Sequence, residues 1–168
     1  DSKITKRPMK GDKITNAIVK KVVHIYRSEV DAILVGKNTI NIDNPRLDCR
    51  IDGLRKFSPI RVILSKEINF KINSKIFKNC INNPTIIFTQ KNEAKKINNI
   101  KKKHSRIYML EKKNFNITYI VKELAKLGVC NLLVEGGREI FSSFINEDLV
   151  DKIIIFRSNF FIGSDGLN

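Results

Sequence analysis

The sequence predicts an α/β protein, a mainly parallel, twisted sheet with helices on both faces in three layers. Short apolar runs at residues 32–35, 60–64 and 85–89 have the length and β-branched content of buried strands. Longer amphipathic stretches alternate with them, the order expected when helices cross over a parallel sheet. Two runs open into polar segments: Ala32-Ile33-Leu34-Val35, which stops at Gly36, and Leu132-Leu133-Val134, which is followed by Glu135-Gly136-Gly137-Arg138. Ligands of open α/β sheets sit outside such strand ends, so both exits are candidate sites.

Asn16 is placed to cap a helix over residues 17–27, in which Ile18, Val22 and Tyr26, with Val19 and Val23, share one face. Strand 32–35 follows, then a long polar segment over residues 36–59 and a second strand at 60–64. Asn82-Asn83-Pro84 breaks the chain before strand 85–89. Residues 93–103 read as helix and 106–110 as strand. Residues 117–127 form a helix with Ile117, Ile120, Val121, Leu124 and Leu127 on one face and Gly128 as its left-handed cap. A strand at 131–134, a helix at 139–146 and a last strand at 152–156 complete the series. No repeat or low-complexity linker divides it, so residues 1–168 read as one domain. The chain opens at Asp1 and stops soon after its last strand without a closing element, so a segment of a longer product, cut at both ends, is expected.

A chain of 168 residues buries about 70% of its unfolded surface. No apolar run approaches the roughly 20 residues needed to span a bilayer, and no signal-peptide pattern is present. Cys49, Cys80 and Cys130 are odd in number and far apart, which offers neither a disulfide framework nor a metal pair. A reducing, cytoplasmic setting is expected, with no membrane partner. The net charge of +15 invites a nucleic-acid reading, yet 23 Lys against 9 Arg, with 27 Ile and 18 Asn, is the excess an AT-rich coding sequence produces. Lysines spread over a solvated surface, or attraction of phosphorylated ligands, explain the charge. The run Lys101-Lys102-Lys103-His104 lacks interleaved aromatics for base stacking, so no nucleic-acid partner is expected.

Glu135-Gly136-Gly137 lies between a strand and a helix. Its glycines either let a pyrophosphate approach the backbone and the helix N-terminus or merely make a tight turn. Glu135, a carboxylate at the end of an apolar strand, needs a partner: ligand hydroxyls, ligand amines or a basic side chain. Thr39 can hydrogen-bond a cofactor. Asp43 can cap or bind, although Asp43-Asn44-Pro45 is also an ordinary turn former. Arg27 and Arg50 stand out in a lysine-rich chain, because arginine holds phosphate in a planar fork that lysine cannot reproduce. His24 and His104 stand at no metal spacing, and no HExxH or nucleophile elbow is present. Cys49 reads as a small packing residue before it reads as a nucleophile. GxGxxG is absent, so any nicotinamide cofactor is not held in the standard Rossmann manner.

Four segments, in this order, resemble the reductase domain of bacterial bifunctional riboflavin biosynthesis proteins, which have a dihydrofolate-reductase-like fold. Asp1-Ser2-Lys3-Ile4-Thr5 is similar to that family's SLDG-K/R-IA segment. Ile14-Thr15 through His24 and Arg27 is similar to its IT…VH-x-x-R. Residues 31–50 resemble DAILVG-x-x-T-x-x-x-D-x-P-x-L-x-x-R, and Leu133-Val134-Glu135-Gly136-Gly137 through Phe144 and Leu149-Val150-Asp151 resemble LVEGG…F…LVDE. The resemblance implies NADPH-dependent reduction of 5-amino-6-(5-phosphoribosylamino)uracil to its ribitylamino product. The alternatives are reduction of the non-deaminated diaminopyrimidine and a basic nucleic-acid-binding module. The resemblance also implies a phosphorylated pyrimidine ribosyl substrate held by Arg27, Leu47, Arg50 and Glu135, with Glu135 the candidate catalytic residue. It implies NADPH contacts from Thr39, Asp43 and the turn Gly137, Arg138, Glu139, Ile140, Phe141, Ser142 and Ser143, no metal, and a homodimer. Lys13 replaces the family's tryptophan, and Ser65-Lys66 stands where Asp-Ser is frequent, which makes Lys66 a further candidate for a cofactor phosphate. The family's zinc deaminase domain and first reductase strand would precede Asp1.

Overall fold

The computed structural model describes residues 5–6, 16–69, 73–78, 80, 82–90, 94–103, 106–111, 116–157 and 166–167. Strand β1 (Thr5–Lys6) pairs antiparallel with β7 (Gly166–Leu167) at the other end of the chain. Between them lie α1 (Ala17–Glu29), β2 (Ala32–Gly36), α2 (Lys37–Asp43), β3 (Ile60–Ser65), β4 (Thr85–Thr89), α3 (Ala94–Lys103), β5 (Ile107–Glu111), α4 (Ile117–Lys126), β6 (Leu132–Val134) and α5 (Arg138–Asn146). The main sheet has five strands in the order β5-β4-β3-β2-β6, and every pairing is parallel.

Side-chain alternation splits this sheet between two cores. Ile33, Val35, Ile63 and Ile87 point to one face, where Ile40 of α2, Ile100 of α3 and the loop residues Leu47, Ile76 and Phe77 cover them. Ala32, Leu34, Val62, Ile86 and Phe88 point to the other, against Ile117, Ile120 and Leu124 of α4 and Phe144 of α5. Helices on both faces of a parallel sheet are therefore present, as expected. Asn16 caps α1, its side chain accepting the Val19 N–H at 2.9 Å. Gly128 ends α4 with φ +85°, in the left-handed region. Arg61, fully buried on β3, donates to the Asn83 and Lys78 carbonyls and ties both residues to the sheet, and burial pulls its guanidinium below its ordinary pKa.

The structure departs from the sequence reading at four points. Residues 36–59 are not one irregular segment, because Lys37–Asp43 forms α2 and Arg55–Phe57 a short 3-10 turn. Only Ile40 of α2 is buried, so the sequence carries almost no helical periodicity there. Residues 152–156 are not a strand. They have no sheet partner among the described residues, and Ile153, Ile155 and Phe156 are exposed. Ile18 of α1, placed on its packing face by spacing, is exposed as well. The chain's end does find a partner, through β7 on β1. His104, Ile14, Thr15, Lys13 and the first landmark apart from Thr5 lie outside the described residues.

Candidate active site

The crossovers after β2, β3 and β4 run over the face that holds Ile40, Phe77 and Ile100, and α4 then returns across the opposite face to β6. Neighbouring strands β2 and β6 therefore send their following helices to opposite faces. This is a topological switch point, and it opens a crevice beyond the strand ends.

Glu135 leaves β6 on the α1 side of that crevice, its N–H donating to the Leu34 carbonyl at 3.0 Å. Its carboxylate meets Arg27, from the last turn of α1, in a two-pronged pair: Nε to Oε1 at 2.8 Å and Nη2 to Oε2 at 2.6 Å. Both side chains are largely enclosed, at 12% and 20% exposure, so the pair is shielded from water. Arg27 also donates through Nη1 to the Asp48 carbonyl at 3.3 Å. The need for a partner at Glu135 is thus met by a basic side chain. Glu135 does not cap α5; Gly137 holds that position.

Asp48 is the hub of this region. Its carbonyl accepts from Arg27 and lies 3.1 Å from His24 Nδ1. A carbonyl can only accept, so Nδ1 carries the imidazole proton. Burial, Arg50 and Arg27, in that order, push the His24 pKa below its ordinary value, against the opposing effect of Asp48. The Asp48 carboxylate pairs with Arg46 at 2.8 Å and Arg50 at 3.3 Å. Leu47, between Arg46 and Asp48, adopts φ +54° and is buried in the core rather than open to a ligand.

The other wall is built from Gly36, Thr39 and the start of α5. A Cβ on Gly136 would stand 3.0 Å from Thr39 Oγ1, and one on Gly36 would stand 2.9 Å from Ile140 Cδ1. The backbone at these glycines therefore runs close against Thr39 of α2 and Ile140 of α5, and a side chain at either position would press on them. Gly137 caps α5 with φ +95° and no side-chain acceptor, so the first-turn amides keep their anion-binding capacity. Arg138, Glu139, Phe141 and Ser142 are exposed, Ile140 packs inward, and Ser143 Oγ donates to the Glu139 carbonyl at 2.8 Å. Asp43 ends α2, with partial desolvation holding its carboxyl above its usual pKa. Lys66 is exposed just past β3, at the same end of the sheet.

The structure therefore brings Arg27, Arg50 and Glu135 into one connected cluster, with Thr39 and Gly137 beside it. Sequence reasoning missed Arg46, Asp48 and a role for His24. The signals available were weak: His24 stands one helical turn before Arg27, and Asp48 sits between two arginines in Arg46-Leu47-Asp48-Cys49-Arg50. Among the described residues no cluster of three metal-ligating side chains occurs, and no helix is long and apolar enough to cross a membrane.

The family described as the RibD C-terminal domain matches residues 1–167. A riboflavin biosynthesis protein RibD of Aquifex aeolicus is 38% identical over 143 residues, covering 85% of this chain and 39% of that protein. A 2,5-diamino-6-ribosylamino-4(3H)-pyrimidinone 5′-phosphate reductase of Debaryomyces hansenii is 30% identical over 187 residues, covering 99% of this chain and 74% of that protein. Among solved structures, Acinetobacter baumannii RibD superposes with a TM-score of 0.72 at 19% identity, over 89% of this chain and 40% of that one. The fold is accordingly the dihydrofolate-reductase-like fold of that reductase domain. The chain spans about two-fifths of the length of the Aquifex relative, at 39%.

Proposed function

The chain belongs to the RibD C-terminal domain family, and from that premise we propose that it is a pyrimidine reductase of riboflavin biosynthesis. Its substrate in this reading is 5-amino-6-(5-phosphoribosylamino)uracil, reduced at C1′ of the ribosyl group to the ribitylamino product with NADPH. The observation that carries the reading is the enclosed Arg27–Glu135 pair at the β2/β6 switch point, beside the uncapped N-terminus of α5. Donor chemistry there suits the cofactor: free amides of α5 for its pyrophosphate, Lys66 or Arg138 for a phosphate charge, and Thr39 and Asp43 for polar groups.

NADPH, when bound, would supply the hydride; C1′ accepts it in the ring-opened imine form of the aminoribosyl group, in which the C1′–O4′ bond is already broken, and the imine nitrogen takes up a proton. The protein's own contribution is orientation and electrostatics. Glu135, fixed by Arg27, accepts hydrogen bonds from substrate amine or hydroxyl groups and stabilises positive charge developing at C1′. Arg27 spends Nε, Nη1 and Nη2 on Glu135 and Asp48, so its part is chiefly to hold the carboxylate and the 46–50 loop. Arg50, half exposed and held among the described residues by Asp48 alone, is the arginine with donors to spare for the substrate phosphate.

A second reading, reduction of the non-deaminated diaminopyrimidine, is favoured by the Debaryomyces relative, whose name carries that activity. Side-by-side kinetics decide between them: NADPH oxidation with each pyrimidine should give a kcat/KM at least tenfold higher for the deaminated substrate, by the cost of a mispaired buried donor. The reverse ratio establishes the second reading, and no oxidation with either defeats both. The homodimer belongs to the same proposal, and sedimentation of the protein checks it.

A further inference from the structure

We infer that Arg46 is a second ligand for a phosphate monoester in this site, and that Asp48 is the positioning residue that sets it beside Arg50. The identity of the ligand rests on the reductase reading; its charge class rests on the cluster alone. The Asp48 side chain is 8% exposed and both its oxygens are taken, Oδ2 by Arg46 Nη2 and Oδ1 by Arg50 Nη1. One carboxylate cannot balance two guanidiniums. Arg27 is already balanced by Glu135, and the environment of His24 disfavours its charged form, so one positive charge in the cluster has no acidic partner among the described residues. The two arginines are 51% and 48% exposed, and each keeps N–H donors that Asp48 does not use.

The backbone gives an independent reason. Leu47 holds a left-handed conformation at φ +54°, costly for a leucine, while its side chain is sealed in the core. Among the described residues, the amides of Leu47 and Asp48 donate to no protein acceptor. Unpaired amides next to a left-handed residue are the donors from which small anion-binding concavities are built. These two fall between Arg46 and Arg50 in the chain. An exposed arginine–carboxylate pair is ordinarily worth little and points to nothing. A buried carboxylate shared by two arginines, next to unpaired amides, is a different arrangement, in which two guanidiniums are anchored to the two oxygens of one side chain. Two phosphate monoesters are at hand in the proposed reaction, the substrate 5′-phosphate and the 2′-phosphate of NADPH, and the proximity of Glu135 and Arg27 favours the first.

The test uses the whole protein with Arg46→Gln, a half-exposed position whose exchange should leave the melting temperature nearly unchanged. Calorimetric titration with ribose 5-phosphate should show about tenfold weaker binding, the loss of one charged hydrogen bond. In turnover, KM for the phosphorylated pyrimidine should rise about as much with kcat within about twofold, while KM for its dephosphorylated form stays put. A fall in preference for NADPH over NADH, with substrate KM unchanged, assigns Arg46 to the cofactor's 2′-phosphate instead. Asp48→Asn makes the cluster more positive, so charge alone requires tighter phosphate binding, whereas positioning requires weaker. Tighter binding removes Asp48 from the proposal. Wild-type affinity and kinetics in Arg46→Gln overturn it altogether. Weaker ribose 5-phosphate binding in a protein that reduces neither pyrimidine keeps the anion site and defeats the reductase reading.

Discussion

Glu135 and Arg27 lie far apart in sequence yet form an enclosed, two-pronged ion pair at the strand ends, and two substitutions separate their roles. Glu135→Gln keeps the shape, removes the charge and leaves Arg27 enclosed without a full counter-ion. Stability should fall by about 2 kcal/mol, within the cost of breaking a partly buried charged pair. If the carboxylate also stabilises charge at C1′, kcat and kcat/KM should fall together by a factor of about 100 or more. Normal turnover in a less stable protein would leave Glu135 a structural role only. His24 offers a pH test. Its folded pKa lies below its ordinary 6.5, so between the two values the unfolded chain binds the proton more tightly. Stability is therefore retained above 6.5 and lost as pH falls through the folded value. His24→Asn, which can still donate to the Asp48 carbonyl, should remove that slope in thermal melts, whereas His24→Ala should also loosen the 46–50 loop and raise substrate KM. At this scale the sequence made Arg27, Arg50 and Glu135 legible, because scarce arginines and a carboxylate at a strand end are chemically conspicuous. Asp48 was not legible, since half of its role is played by a backbone carbonyl, and its placement depends on the left-handed turn at Leu47.

Elements were legible in proportion to how much apolar surface they bury. Strand β4 matches its expected span, and α4 differs by one residue at its end, because each carries several buried side chains. Helix α2 was missed for the opposite reason, with one buried residue in seven. The expected strand at 152–156 reads as β-branched sequence, but a strand exists only by pairing, and no described strand pairs with it. Close packing of α2 on the β6–α5 turn gives a double-mutant test. Gly136→Ala pushes a methyl against Thr39 Oγ1 and should cost about 1–2 kcal/mol. Adding Thr39→Ala should recover most of that stability without recovering NADPH affinity, if Thr39 contacts the cofactor. Additive stability losses would show that the two residues do not meet. At the far end of α5, Glu147 holds the start of α4, its Oε2 accepting from Thr118 Oγ1 at 2.5 Å and Thr118 N at 3.0 Å. These bonds pull the Glu147 carboxyl below its ordinary pKa. Their stabilisation is present above the unfolded carboxyl's pKa and lost as pH falls through the folded one. The melting-temperature gap between wild type and Glu147→Gln should therefore be open at neutral pH and close in acid.

Across the whole molecule, alternating strands and helices announced the parallel sheet, and the glycine exits pointed to the end of the sheet where the Arg27–Glu135 pair lies. The switch point itself was not legible in sequence. Strand order depends on α4 carrying the chain back across the sheet to place β6 beside β2, and no local pattern records that return. That placement brings Glu135 next to the α2 and α5 N-termini, and the proposed reduction depends on it. The most direct measurement is the fate of a labelled hydrogen. With NADPH carrying deuterium at its transferable position and 5-amino-6-(5-phosphoribosylamino)uracil as substrate, one deuterium should appear at C1′ of the ribityl chain. Product bearing no cofactor-derived deuterium at C1′, or NADPH consumption without a ribityl product, would contradict hydride transfer at this site.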